Sequence, residues 1–230
     1  MTVMLDFSSP APQVFLLKMN RSQMRNNNYL VVDPRSHDAL VVDPAWELDK
    51  IEQALASTRA TLSGVLLTHS HFDHIHLAKQ VAELYNCPIW MSKREIEFSG
   101  FNARHLVGID ETSWLVGRMR IQPILTPGHT PGCLCYLIGD NLFTGDVLFA
   151  EGCGICEDVE SAFDMFDSLS KLKTRVPADA HVFPGHTYMR PPGQKFSEVL
   201  KFNMYLQFTD KESFAAYRLR KGQTKLLDFI

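Results

Sequence analysis

Thr68-His69-Ser70-His71-Phe72-Asp73-His74 places three imidazoles and a carboxylate within six consecutive residues. The apolar run Val65-Leu66-Leu67 leads into it. Apolar residues at 77, 78, 81, 82 and 84 follow it at helical spacing. The cluster therefore sits where a short buried strand gives way to a helix. Packing offers no reason for four strong ligand side chains at such a point. Neutral imidazole is the commonest metal ligand, so three in a row invite a cation. A solvated polar loop accounts for one such histidine but not for this set.

Working outward, the N-terminal half reads as strands at 13–19, 29–32 and 39–42, the last two ended by Asp33-Pro34 and Asp43-Pro44. Their spacing predicts an antiparallel start. Residues 46–58 carry apolar side chains at 48, 51, 54 and 55, which predicts a helix. A wholly apolar strand at 64–68, a helix at 75–85 and a short strand at 89–91 follow. The polar stretch 92–112 has no clear pattern. Beyond it, strands are expected at 119–124, 133–138, 141–143 and 181–183. Helices are expected at 159–173 and 194–206, with another near 210–218. Strands then a helix, twice, suits two sheets packed face to face with helices outside.

Three more ligand-type residues stand next to glycine just after apolar strands: Pro127-Gly128-His129, Thr144-Gly145-Asp146 and Pro184-Gly185-His186. Each glycine permits a sharp turn that aims the next side chain into a common cleft. A single Gly-His or Gly-Asp is an ordinary turn. Three of them beside the histidine cluster form a constellation. His76 lies two residues past the cluster, and its helical phase turns it toward solvent. His37, His105 and His181 have no ligand-like setting.

The bulk composition narrows the possibilities. A chain of 230 residues with 45% apolar content fits a single domain spanning 1–230, with a short helical extension from about residue 191. The net charge of −3 and the lack of a basic patch argue against nucleic acid as a partner. No apolar run is long enough to span a bilayer, so no membrane association is expected. The N-terminus lacks a signal-peptide pattern, and five cysteines are an odd number. Both point to reduced thiols and a cytoplasmic location. Cys153-Gly154-Ile155-Cys156 has redox-type spacing, but no thioredoxin-like context or second metal pair accompanies it.

His69-x-His71-x-Asp73-His74 with His129, Asp146 and His186 resembles the ligand set of the metallo-β-lactamase-fold hydrolases, and in particular their glyoxalase II-like branch. That resemblance implies an α/β (α+β) fold, an αββα sandwich of two mixed β-sheets flanked by helices. It implies two Zn²⁺ ions, with Fe or Mn as possible substitutes. His69, His71 and His129 would hold one ion, Asp73, His74 and His186 the other, and Asp146 would bridge them. It also implies that Asp73 and Asp146 serve catalysis, with a metal-bridging hydroxide attacking a thioester carbonyl. A thiolate leaves readily without a general acid, which suits such a site.

The substrate is read from the loop Gly152-Cys153-Gly154. In the glutathione-hydrolysing members a cation follows this triplet; here Ile155, Cys156 and Glu157 follow. Ile155, Cys156 and Tyr188 are the expected substrate contacts. The loop 148–158 and the tail 203–211 resemble a narrower group, the zinc-dependent hydrolases of bacterial trans-acyltransferase polyketide clusters of the bacillaene type. This implies an acyl thioester presented by an acyl carrier protein. Arg190, Lys195, Lys201 and the run 218–221 would then face an acidic partner or a phosphate. Rival expectations are hydroxyacylglutathione hydrolysis, mononuclear-iron persulfide dioxygenation, phosphodiester cleavage and a non-catalytic role in a biosynthetic complex.

Overall fold

The computed structural model describes residues 11–223. The first sheet contains β1 (Gln13–Arg21), β2 (Met24–Val32), β3 (Asp38–Val42), β4 (Thr61–Leu66), β5 (Ile89–Ser92) and β6 (Leu106–Ile109), in that order. The second contains β7 (Trp114–Val116), β8 (Met119–Leu125), β9 (Leu134–Ile138), β10 (Asn141–Gly145), β11 (His181–Pro184) and β12 (Gln194–Lys195), also in sequence order. Helices α1 (Leu48–Thr58), α2 (Phe72–Ile75), α3 (Ala78–Tyr85) and α4 (Lys93–Ser99) belong to the first half. α5 (Val159–Arg175), α6 (Phe196–Phe202) and α7 (Lys211–Arg218) belong to the second. Both sheets mix parallel and antiparallel pairs. This is the αββα sandwich the sequence leads one to expect.

Strand alternation builds the layers. On β2, Tyr29 and Val31 face the second sheet, while Leu30 and Val32 face the helices. On β3, Leu40 and Val42 face inward, and Ala39 and Val41 outward. A strand covered on both faces must be apolar on both, which explains the continuous Leu40-Val41-Val42 run. The inner layer closes on Ile121, Leu134, Tyr136 and Phe143. α5 caps the outer face of the second sheet through Ala162, Met165, Leu169 and Leu172. Asp158 and Ser161 form a capping box at its start. Phe196, Val199, Leu206 and Phe214 of the C-terminal segment join this same cluster, so the tail is part of the outer core.

The structure departs from the expected elements in several places, including the added edge strands β7 and β12. β2 begins at Met24, extending through Asn26-Asn27-Asn28, residues that strands usually avoid. The helix expected at 75–85 starts only at Ala78 as α3; the short α2 precedes it over the ligand run, with His76 and Leu77 between them. The unpatterned 92–112 stretch holds α4 and β6, and the expected 194–206 helix ends at Phe202 and continues as a 3-10 turn, Met204–Gln207. Among the described residues no helix is long and apolar enough to cross a membrane.

Candidate metal centre

All seven expected ligands lie at one edge of the sandwich. His69 to His74 follow β4 of the first sheet, while His129, Asp146 and His186 follow β8, β10 and β11 of the second. Backbone bonds bind these loops across the two sheets: Leu134 N–H donates to the Thr68 carbonyl at 2.8 Å and Asn27 N–H to the Gly185 carbonyl at 2.8 Å. The ligand atoms of His69, His71 and His129 form one compact group, and those of Asp73, His74 and His186 another. Asp146 lies between them. Its Oδ2 is 3.7 Å from His129 Nε2 and 3.5 Å from His186 Nε2.

The outer bonds of the rings fix where their lone pairs point. His129 Nδ1 donates to the Ile155 carbonyl at 2.9 Å, and His186 Nδ1 to the Arg25 carbonyl at 2.7 Å. Thr68 donates its hydroxyl to Asp43 Oδ2 at 2.6 Å, so its oxygen accepts from His69 Nδ1 at 3.0 Å. Asp43 Oδ2 also accepts from His74 Nδ1 at 2.9 Å. In each case the Nε2 atom faces the cluster. His69 Nε2 and His129 Nε2, both lone-pair bearing by this assignment, lie 3.1 and 3.0 Å from His71 Nδ1. A single proton on His71 Nδ1 can serve only one of these lone pairs well at a time, whereas a cation between the three nitrogens would satisfy all of them. His74 Nε2 and Asp146 Oδ1 are buried and have no hydrogen-bond partner. They lie 3.5 Å apart, beyond a good hydrogen bond, and a metal ion at the centre would supply a partner for both.

The electrostatics separate the two groups. Burial, then the charges of His74, His129 and other nearby histidines, holds His69 well below the usual histidine range. Burial also opposes a proton on His74, but Asp146, Asp43 and Asp73 together outweigh it and push its pKa up to about 10. Burial resists ionisation of Asp73, yet His186, His74 and Asn26 hold its carboxyl well below the carboxylate range.

Several contributors escape a motif reading. Asp43 reads in the sequence as a strand terminator, yet it orients both Thr68 and His74. A carboxylate behind a histidine is the usual way to fix the tautomer of a metal-binding ring. Asp43, His69 and His74 themselves form a compact acid–histidine group, but Asp43 meets the rear nitrogen of His74 and so orients rather than ligates. The three asparagines of β2 each hold a different loop. Asn26 Nδ2 donates to Asp73 Oδ2 at 2.9 Å, Asn27 Nδ2 to the Pro184 carbonyl at 3.1 Å, and Asn28 Oδ1 accepts from Ala45 N–H at 2.7 Å. Asn26 and Asn27 are tolerated in a strand because their amides are bonded, whereas Asn28 bonds through its oxygen and leaves its buried NH2 without a partner.

Three expectations need correction. Cys156 is only 5% exposed and belongs to the cluster beneath α5, so its thiol cannot meet a substrate. Ile155 is exposed beside His129, and Tyr188 is half-buried against Phe149 with ring centroids 5.1 Å apart. Arg218 does not face outward. It is buried, donates to the Tyr205 hydroxyl at 2.8 Å and lies against Cys153. His76 is half-buried, tilted against Trp46 at 4.7 Å and reached by Arg21 at 3.3 Å. All five cysteines are buried free thiols.

A family model described as the metallo-beta-lactamase superfamily matches residues 23–186. The chain is 43% identical over 219 residues to the "Probable polyketide biosynthesis zinc-dependent hydrolase BaeB" of Bacillus velezensis, covering 94% of this chain and 97% of that protein. It is 41% identical, with the same coverage, to the "Probable polyketide biosynthesis zinc-dependent hydrolase PksB" of Bacillus subtilis. A hydroxyacylglutathione hydrolase of Rhodospirillum rubrum is 35% identical over 72% of this chain and 64% of its own length. The crystal structure of a metallo-beta-lactamase from Staphylococcus aureus superposes with a TM-score of 0.83 at 21% identity, covering 92% of this chain and 67% of that one. By sequence and by fold, this chain belongs to the metallo-beta-lactamase superfamily.

Proposed function

We propose that this protein is a zinc-dependent hydrolase of acyl thioesters carried on an acyl carrier protein during polyketide biosynthesis. The observation that carries the metal reading is the convergence of His69 Nε2, His71 Nδ1 and His129 Nε2 with at most one proton among the three. His69, His71 and His129 would hold one zinc ion and Asp73, His74 and His186 a second, with Asp146 placed between the two groups. The same nitrogen and oxygen donors accept iron or manganese. When bound, such a pair supplies a water-derived nucleophile at neutral pH and a Lewis acid for the carbonyl oxygen.

The chain's own residues do the rest. Asp73 and Asp146 set the negative charge around the reacting centre, and Asn26 holds the Asp73 carboxylate at a fixed angle. Ile155, exposed beside His129, and Tyr188, backed by the buried Phe149, offer apolar surface near it that suits an acyl chain. The leaving thiolate needs no acid from the protein. The names of the BaeB and PksB relatives support the polyketide setting. No cation follows Gly154, and Arg218 is buried behind the loop, so a glutathione carboxylate has no counter-charge there.

The test is a comparison of acyl-carrier-protein, acyl-pantetheine and lactoylglutathione thioesters with purified, metal-analysed protein. Carrier-bound acyl groups should be cleaved with the highest kcat/KM. Equal or faster cleavage of lactoylglutathione would assign the chain instead to the reaction in the name of its Rhodospirillum relative.

The two ligand groups should also respond differently to acid. A cation bound by Asp73, His74 and His186 must displace the proton that His74 holds up to a pKa of about 10. Apparent affinity there should fall about tenfold for each pH unit below that value. His69 needs no such deprotonation. Between about pH 8 and about pH 6 that group should lose roughly 100-fold in affinity and empty first. Equilibrium dialysis at graded pH, with His186→Ala and His129→Ala variants to assign the ions, checks the order. Loss from the His69 group first would refute it.

A further inference from the structure

The feature left unexplained by the ligand set is Glu95. It is 0% exposed, in the first turn of α4, within the polar stretch that has no sequence pattern. A carboxylate is buried only when its oxygens are fully bonded. Glu95 Oε1 accepts from Ser70 N–H at 2.8 Å and from the Ser70 hydroxyl at 2.6 Å. Oε2 accepts from the Thr130 hydroxyl at 2.7 Å and from Gly132 N–H at 3.0 Å. Ser70 stands between His69 and His71, and Thr130 immediately follows His129. Glu95 therefore joins the two loops that bear the first ligand group. The Ser70 loop also carries Asp73 and His74, but Glu95 grips it between His69 and His71, and none of its bonds goes to Asp73, His74 or the loops of Asp146 and His186.

A second, independent contact holds the same joint. Ser92 donates to the Gly132 carbonyl at 2.6 Å and accepts from Glu95 N–H at 2.9 Å. A side chain at Gly132 would place its Cβ 2.2 Å from the Glu95 nitrogen, so the loop lies directly on the helix turn. Both Glu95 oxygens face a backbone N–H, whose direction cannot change. Glutamine in this place would turn an amide NH2 against one of these donors in either orientation, leaving two buried donors opposed.

We propose that Glu95 is a positioning residue for one metal site alone. It clasps the Ser70 and Thr130 loops so that His69, His71 and His129 arrive at the spacing one ion requires. This rests on the reading of the two ligand groups as zinc sites. Groups bonded directly to a metal ligand change metal affinity by about 10- to 100-fold, and Glu95, acting one residue further out through Ser70 and Thr130, is expected at the lower end of that range.

The experiment measures zinc affinity, not turnover, by chelator competition on the full chain. Glu95→Gln should weaken one of two zinc ions at least tenfold and leave the other unchanged. In a His129→Ala background the effect of Glu95→Gln on the remaining ion should vanish; in a His186→Ala background it should persist. Thr130→Val removes one clasp donor at nearly constant volume. It should weaken the same ion in the same sense, and it carries the test if Glu95→Gln does not fold. Equal weakening of both ions would reduce Glu95 to a general packing role and overturn the proposal. So would wild-type affinity in Glu95→Gln, or in Thr130→Val should that variant alone fold. A wild-type chain that binds no zinc would instead remove the metal reading on which the proposal stands.

Discussion

Asp73→Asn is expected to lower kcat/KM on an acyl-pantetheine thioester by about a thousandfold, equivalent to roughly 4 kcal/mol of transition-state stabilisation, with the fold intact. Asp73 Oδ2 lies 3.3 Å from His186 Nε2 and 3.6 Å from His74 Nε2. His186, His74 and Asn26 together overcome its burial and keep it ionised. An asparagine keeps the shape but removes the charge, and one of its orientations turns an NH2 toward the Asn26 donor. No apolar core cluster depends on this side chain, but a carboxylate that the fold holds ionised contributes stability at neutral pH, so a lowered melting temperature is expected alongside the kinetic loss. Zinc content, melting temperature and steady-state kinetics on one preparation provide the check. Activity within tenfold of wild type at equal zinc content would remove Asp73 from the reaction.

Gly185→Ala should be the more disruptive change, although it adds only a methyl group. A Cβ at Gly185 would stand 2.5 Å from Asp146 Oδ1 and 2.6 Å from His74 Cε1. The backbone cannot retreat. Gly185 N–H donates to the Gly145 carbonyl and its own carbonyl accepts from Asn27 N–H, both at 2.8 Å. The methyl group must therefore displace the aspartate or the ring. Such overpacking costs about 1–3 kcal/mol. Melting temperature should drop by roughly 5 °C, while zinc at the Asp73 group and thioester turnover are both lost. A variant with full zinc content and unchanged turnover would show that the loop has more room than the structure gives it.

The ligand residues were legible because each sits in a local signature: a dense histidine run, or a glycine-preceded His or Asp just after an apolar strand. Their supporting residues were not. Asn26, Asn27 and Asn28 look like turn residues, and only the loops they bond to make them a strand. Asp43 and Glu95 act on residues 25 positions or more away, so no local window holds both partners. α4 was hidden because its seven residues are mostly charged and its start depends on the Ser92 cap. Cys156 and Arg218 were misplaced for the same reason. Which side of a loop faces the core is set by α5, α7 and the 3-10 turn packed behind it, not by the loop's own residues.

The placement of the ligands in two sheets also has a meaning in time. A chain growing from its N-terminus owns all of His69, His71 and His129 once the β8 loop has formed. Asp73 and His74 must wait for His186, which arrives only after α5 and β11. Zinc caught early by the first trio would staple the unfinished second sheet to the completed first one. The order of the ligands along the chain thus gives the first group a head start over the second.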